Sequence, residues 1–350
     1  MIDWRLAERI AGVAAGTSAP EARRLPGDMP GLARTAEEAV VAYTGLRPPS
    51  PLPAPEAVDR DAWARANLAT MRTTLEPLVG SLEEKTATMP PAVRSAAAYV
   101  LAGEIGGVVG LLGRRVLGQY ELALLDADAP ARLLLVAPNV RDAARELDAD
   151  LGELLTWVTV HEVTHAVQFS AVEWLRPYLG GLLRELLASA DVQLDTSAVL
   201  RIPSLDDLGK LWEGLRDGGL VHAVAGPERK ALLDRIQAAM ALVEGHAEHT
   251  MDVAGAPLLR SLPRLREALD KRRAERPPVW RLLERLLGLD LKMRQYEIGR
   301  RFVDGVVERG GIAALNRAWT APERLPTLDE LDDPGAWLRR TAVPELGPAS

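Results

Sequence analysis

The chain has 350 residues, 47% hydrophobic and 26% charged, globular values that allow two ordinary structural units or one large one with a sizeable core. Its formal charge of −7, from 42 basic and 49 acidic side chains, argues against a nucleic-acid binder or a basic membrane-surface protein. Cysteine is absent, which excludes disulfides, thiolate nucleophiles and Cys-held metal centres. A metal would have to use carboxylates and the histidines His161, His165, His222, His246 and His249.

In chain order, the N-terminal MIDWRLAERI carries charge where a secretory signal needs an unbroken apolar run, so a cytoplasmic location is expected. Residues 1–85 read as helical, interrupted by a proline-rich connector over 46–55 that cannot form a helix interior. Asp59 offers an N-cap, and Trp63, Leu68, Met71 and Leu75 mark a helical stripe ending near Pro77. Pro90-Pro91 opens a small-residue stretch, Ser95 to Gly113. It reads as a buried helix pair or bent helix packed through Gly103, Gly106, Gly107 and Gly110. It has about the length of a membrane span, but Glu104 at its centre argues against one.

The strand evidence follows. Val116 to Leu125 alternates, Asp126 to Pro130 is a turn, and Arg132 to Ala137 is a second strand, giving a β-hairpin or part of a small sheet. The remainder is helical, broken at Pro203-Ser204, Gly218-Gly219, Ala225-Gly226-Pro227 and Pro277-Pro278. The expected organisation is an N-terminal helical region over 1–85, a main domain over 86–335 and a tail over 336–350.

The sharpest signal is His161-Glu162-Val163-Thr164-His165. Histidines at i and i+4 lie a helical turn apart, so both rings can reach one ion. Glu162, rotated about 100° from His161, can address a water on that ion without occupying the ligand face. Leu151, Leu154, Val158, His161, His165 and Phe169 form one stripe, pointing inward. Chance would produce such a motif roughly 0.005 times in a sequence of this make-up.

A catalytic zinc site needs a third protein ligand and an open position. A metzincin would carry Gly and His at the third and sixth positions after the second histidine, and here these are Gln168 and Ala171. The alternative is a second helix, Arg229 to Met251, which contains Glu244-Gly245-His246-Ala247-Glu248-His249. Glu244 is the preferred third ligand and His246 the alternative. Gly245 would let another backbone approach, and Glu248 would accept from the outer N–H of a ligating histidine. His249 would donate to the transition-state oxyanion or cap a carbonyl. Tyr296 is a second candidate oxyanion donor, with a half-buried anchor as its plain reading. His222 reads as a solvent-facing or lid residue.

HEVTH followed downstream by EGHAEH resembles the gluzincin branch of the zincin metallopeptidases. More narrowly, IDWRLAERIAG, RVLGQYELALL, HEVTHAVQF, LVEGHAEHTMD and KMRQYEIGRRFV resemble an actinobacterial family of zinc-dependent metalloproteases or hydrolases. Some members of that family are associated with deazaflavin coenzyme biosynthesis. The resemblance covers nearly the whole chain. It implies Zn²⁺ on His161, His165 and Glu244, with Glu162 as general base. The fold expected is mainly α (α+β), a zincin-like core with a small sheet or hairpin beside the HExxH helix and a large helical remainder.

The expected function is a zinc-dependent hydrolase, a metallopeptidase acting on a peptide or small amide by Glu-assisted attack of zinc-bound water. The strand before the helix would offer its edge to an extended substrate. The alternative is a catalytically inactive zincin-like interaction or regulatory protein with a structural metal or none, in which His246 or His249 would close a four-ligand site. No nucleic acid and no membrane are expected as partners.

Overall fold

Helix starts are written locally in this chain. Asp3, Asp28, Asp59, Asp150 and Asp333 each stand just before a helix and accept a backbone N–H from its first turn, a cap that contributes about 1 kcal/mol. The computed structural model describes residues 2–85, 87, 90–126, 128–192, 227–274 and 289–342. The described helices are α1 (Trp4–Ala15), α2 (Met29–Thr44), α3 (Arg60–Lys85), α4 (Pro91–Leu112), α5 (Ala137–Glu146), α6 (Leu151–Ala171), α7 (Leu175–Val192), α8 (Pro227–Gly255), α9 (Leu262–Ala274), α10 (Leu289–Leu315), α11 (Leu328–Asp332) and α12 (Pro334–Arg340). α10 bends at Gly311, whose φ of 69° lies in the left-handed region open to glycine.

The three strands are β1 (Pro55–Val58), β2 (Gly118–Glu121) and β3 (Arg132–Val136), in the order β1-β3-β2. β3 pairs parallel with β1 (Pro55↔Leu133) and antiparallel with β2 (Gly118↔Leu135). As the central strand it is covered on both faces, which explains its unalternating LLLV run. Leu133 and Leu135 enter a core with α2, α5 and α6, while Leu134 and Val136 enter another with α1, α3 and α4. A third core joins α7, α8 and α10 to Trp337 of α12.

The mainly helical fold with a small sheet beside the HExxH helix is therefore present, with four corrections. β1 was not anticipated. It grows out of the end of the proline connector, at the sheet edge where a leading proline costs no ladder bond. β2 stops at Glu121 rather than Leu125, because α7 captures the chain beyond it. Arg176 binds the carbonyls of Ala123, Asp126 and Ala129, and Gly180 packs on the Leu124 carbonyl. α3 continues through Pro77 to Lys85; the proline removes one intrahelical bond without ending the helix. Finally, neither proposed boundary separates units. β1 belongs to the sheet and α2 packs on α6 and α8, while α12 spans residue 335 with Trp337 fully buried against Phe302. The predicted breaks at 203–204, 218–219, 225–226 and 277–278, His222, and the tail beyond 342 lie outside the described residues.

α4 is one continuous helix, and only two of its four glycines make close contacts. A Cβ at Gly106 or Gly110 would strike the backbone of Ala7 or Ala11 on α1, whereas Gly103 and Gly107 face open space. Its other side exposes Tyr99 and Val100, so the expected burial holds on one face only. By length and composition it is the one helix among the described residues apolar enough to cross a membrane. Gly106→Ala should destabilise the protein by about 1–3 kcal/mol through overpacking. Gly107→Ala should stabilise it by up to about 1 kcal/mol through helix propensity. Chemical denaturation of the two variants side by side checks both signs.

Candidate metal centre

α6 carries the HExxH motif through the middle of the molecule. Asp150 caps it, accepting from Glu153 N–H at 2.9 Å, and from Leu154 onward it is almost wholly buried. The helical pitch stacks the two imidazoles as expected. Their Nε2 atoms lie 3.2 Å apart, with the rings at 88°. Trp157, one turn earlier, stacks on His161 at 16°.

α8 brings the third donor. Glu244 Oε2 lies 3.4 Å from His165 Nε2 and 3.9 Å from His161 Nε2. Gly245 works as expected: a Cβ there would collide with the Gly299 backbone of α10, and one on Gly299 would collide with the Ala241 carbonyl. Among the described residues, His161, His165 and Glu244 are the one group of at least three donors able to hold a metal ion, with ligand atoms within 4.8 Å of one another. The set fits zinc. Tetrahedral bonds of about 2.0–2.2 Å place ligand atoms about 3.3–3.6 Å apart, close to the separations observed. Electrostatics agree. Burial alone would lower the His165 pKa, but the charge and hydrogen bond of Glu244, then Glu162 and Gln168, outweigh it and raise it. This pocket therefore favours positive charge.

Glu162 is buried on the neighbouring side of the helix. Leu117 O accepts from Val136 N–H, so by antiparallel alternation Gly118 and Tyr120 turn their backbone groups away from β3. Tyr120 N–H donates to Glu162 Oε2 at 2.7 Å. A Cβ at Gly118 would lie 2.8 Å from Glu162 Cγ, so the glycine lets β2 seat against α6.

The remaining candidates are placed otherwise. His246 is not beside the donors. It is fully buried, with Nδ1 3.0 Å from Gln168 Nε2 and its ring edge-on to Trp319. Burial first, then the His249 and His165 charges, push its pKa down to about 3, so it is neutral. Glu248, expected to accept from the outer N–H of a ligating histidine, pairs with Arg266 at 3.2 Å and Arg300 at 3.6 Å, while His165 Nδ1 meets Gln168 Oε1 at 3.0 Å. His249 has both ring nitrogens engaged and is not poised as an oxyanion donor. Tyr43 OH meets its Nε2 at 2.6 Å, and its Nδ1–H donates to Asp304 at 2.6 Å. Tyr296 lies on α10, with its side chain outside the described residues.

Sequence reasoning missed Gln168, Tyr43, Asp304 and the Tyr120 amide. Gln168 was findable, since i+3 from His165 shares its face. Tyr43, 206 positions from its partner, left no signal.

Two outcomes follow. The wild-type protein should bind one zinc ion per chain, and Glu244→Ala should weaken that binding by more than about 100-fold, beyond the usual loss for an outer-shell residue. The metal content and competition titration of both proteins check this. Burial raises the Asp304 pKa, but the His249 hydrogen bond, then Arg300, hold it below its ordinary 3.8. Its stabilisation is thus present above that value and lost as pH falls through the lowered one. Asp304→Asn should flatten this acid limb of a Tm-versus-pH curve.

No curated protein matches the chain. A solved structure from Chloroflexus aurantiacus, described as a "putative hydrolase with a novel fold", is similar. It is 30% identical with a TM-score of 0.68, over 97% of this chain and 98% of that one. Residues 2–338 match the zincin-like metallopeptidase family, and the chain belongs to that family.

Proposed function

We propose that the protein is a zinc-dependent hydrolase that cleaves a peptide or small amide bond, with Glu162 as general base. One observation carries this: Glu162 lies on the same helix as the two histidines, and its carboxylate is fixed by the edge strand beside the three converging donors. Zinc held by His161, His165 and Glu244 would supply Lewis acidity toward a carbonyl and a water. Glu162 would take the water proton and pass it to the leaving amine. With its N–H held by Glu162, Tyr120 keeps its outward-facing carbonyl at the free edge of β2 for pairing with an extended substrate.

The engagement of His246 and His249 elsewhere supports an open coordination position and disfavours a closed structural site. The test is Glu162→Gln, assayed on a fluorogenic peptide library alongside zinc content. Zinc should be retained and hydrolysis should fall by about 10²–10⁴-fold. Cleavage at the wild-type rate would remove Glu162 from the base role.

A further inference from the structure

Behind His165 lies a buried polar chain whose donor and acceptor roles can be assigned without seeing a hydrogen. Gln168 Nε2 is 3.1 Å from the Val243 carbonyl oxygen. A carbonyl only accepts, so that end of the amide is the NH2 group. Oε1 then faces His165 Nδ1 at 3.0 Å, and an amide oxygen only accepts, so Nδ1 carries the proton. In the neutral ring that a metal requires, Nε2 then holds the lone pair, and it faces His161 and Glu244. The second amide hydrogen faces His246 Nδ1 at 3.0 Å, which must accept, so the His246 proton sits on Nε2. That nitrogen has no hydrogen-bond partner among the described residues. The ring meets Trp319 at 90° and 5.3 Å, an arrangement in which an N–H can rest on an aromatic face.

We infer that Gln168 and His246 are positioning residues that lock His165 in its Nδ1–H tautomer and so present Nε2 to the metal. This rests on the metal site proposed above. Each link fixes the next. Were His246 protonated on Nδ1, it would confront the amide NH2 donor to donor. Were the amide reversed, its oxygen would face the Val243 carbonyl. Gln168 and His246 are both fully buried, so no water competes for these bonds. The partner of His165 is a neutral amide where a carboxylate is common in such sites. The imidazole thus receives orientation without added charge, and the donor set keeps Glu244 as its single carboxylate.

The experiment reads tautomers and metal affinity separately. Long-range ¹H–¹⁵N spectra of the metal-free protein should show His165 protonated at Nδ1 and His246 at Nε2. In Gln168→Glu the amide donor is gone, and His246 should acquire a proton at Nδ1. In Gln168→Leu, zinc affinity measured against a chromophoric chelator should fall by about 10–100-fold, with the fold retained by circular dichroism. A wild-type His246 protonated at Nδ1, or a folded Gln168→Leu with unchanged zinc affinity, overturns the inference while leaving the metal site standing. If the wild-type protein binds no zinc, the metal reading fails and this inference fails with it. Should Gln168→Leu not fold, the wild-type tautomers and Gln168→Glu decide.

Discussion

Contact between α8 and α6 across a buried interface is the constraint on which the site depends. Two imidazoles one turn apart are cheap to arrange, since the helix does it alone. Bringing a carboxylate to within 3.4 Å of one of them in a buried site is not: a buried charge needs partners. The protein meets that need by making α8 a seam between α6 on one side and α10 on another. Gly245 and Gly299 remove the side chains that would hold α8 and α10 apart. Glu244 can therefore be buried yet face His161 and His165, an anionic pocket that a divalent cation would neutralise.

Around this point the polar groups divide by direction. Toward the sheet, Glu162 is held by the Tyr120 amide, and the glycine at 118 makes that approach possible. Away from it, Gln168 and His246 form a neutral chain sealed by Trp319. Further along α8, the charges gather into a network of Glu248, Asp252 and Asp304 with Arg266 and Arg300, joined through His249 to Tyr43 of α2. That network ties α2, α9 and α10 to α8, so the helix supplying Glu244 is fixed along its length. Partly buried ion pairs of this kind contribute modestly to stability but cost much when one partner is removed.

The surrounding fold follows from what the site helix requires. α6 is apolar nearly all round, so it must be enclosed. β3, α2 and α8 pack around it. The N-terminal residues belong to that enclosure: α1 and α3 cover the far face of the sheet, and β1 completes it. α4 is held against α1 through Gly106 and Gly110, and its other side leaves Val93, Tyr99 and Val100 exposed.

What the sequence by itself determined is local. Aspartates cap five of the helix starts, the 3.6-residue pitch aligns His161 with His165, alternation marks β2 and a short apolar run marks β3, because each depends on a few adjacent residues. Glu244 was legible as a ligand candidate, but so was His246. The choice came from how α8 is rotated against α6, which turns position 244 to the histidines and 246 to Gln168 and Trp319. β1, the engagement of His249 by Tyr43 and Asp304, and the pairing of Glu248 with arginines were decided in the same way. Each joins segments far apart in the chain, and their meeting is set by packing of the whole core, which no window of residues encodes.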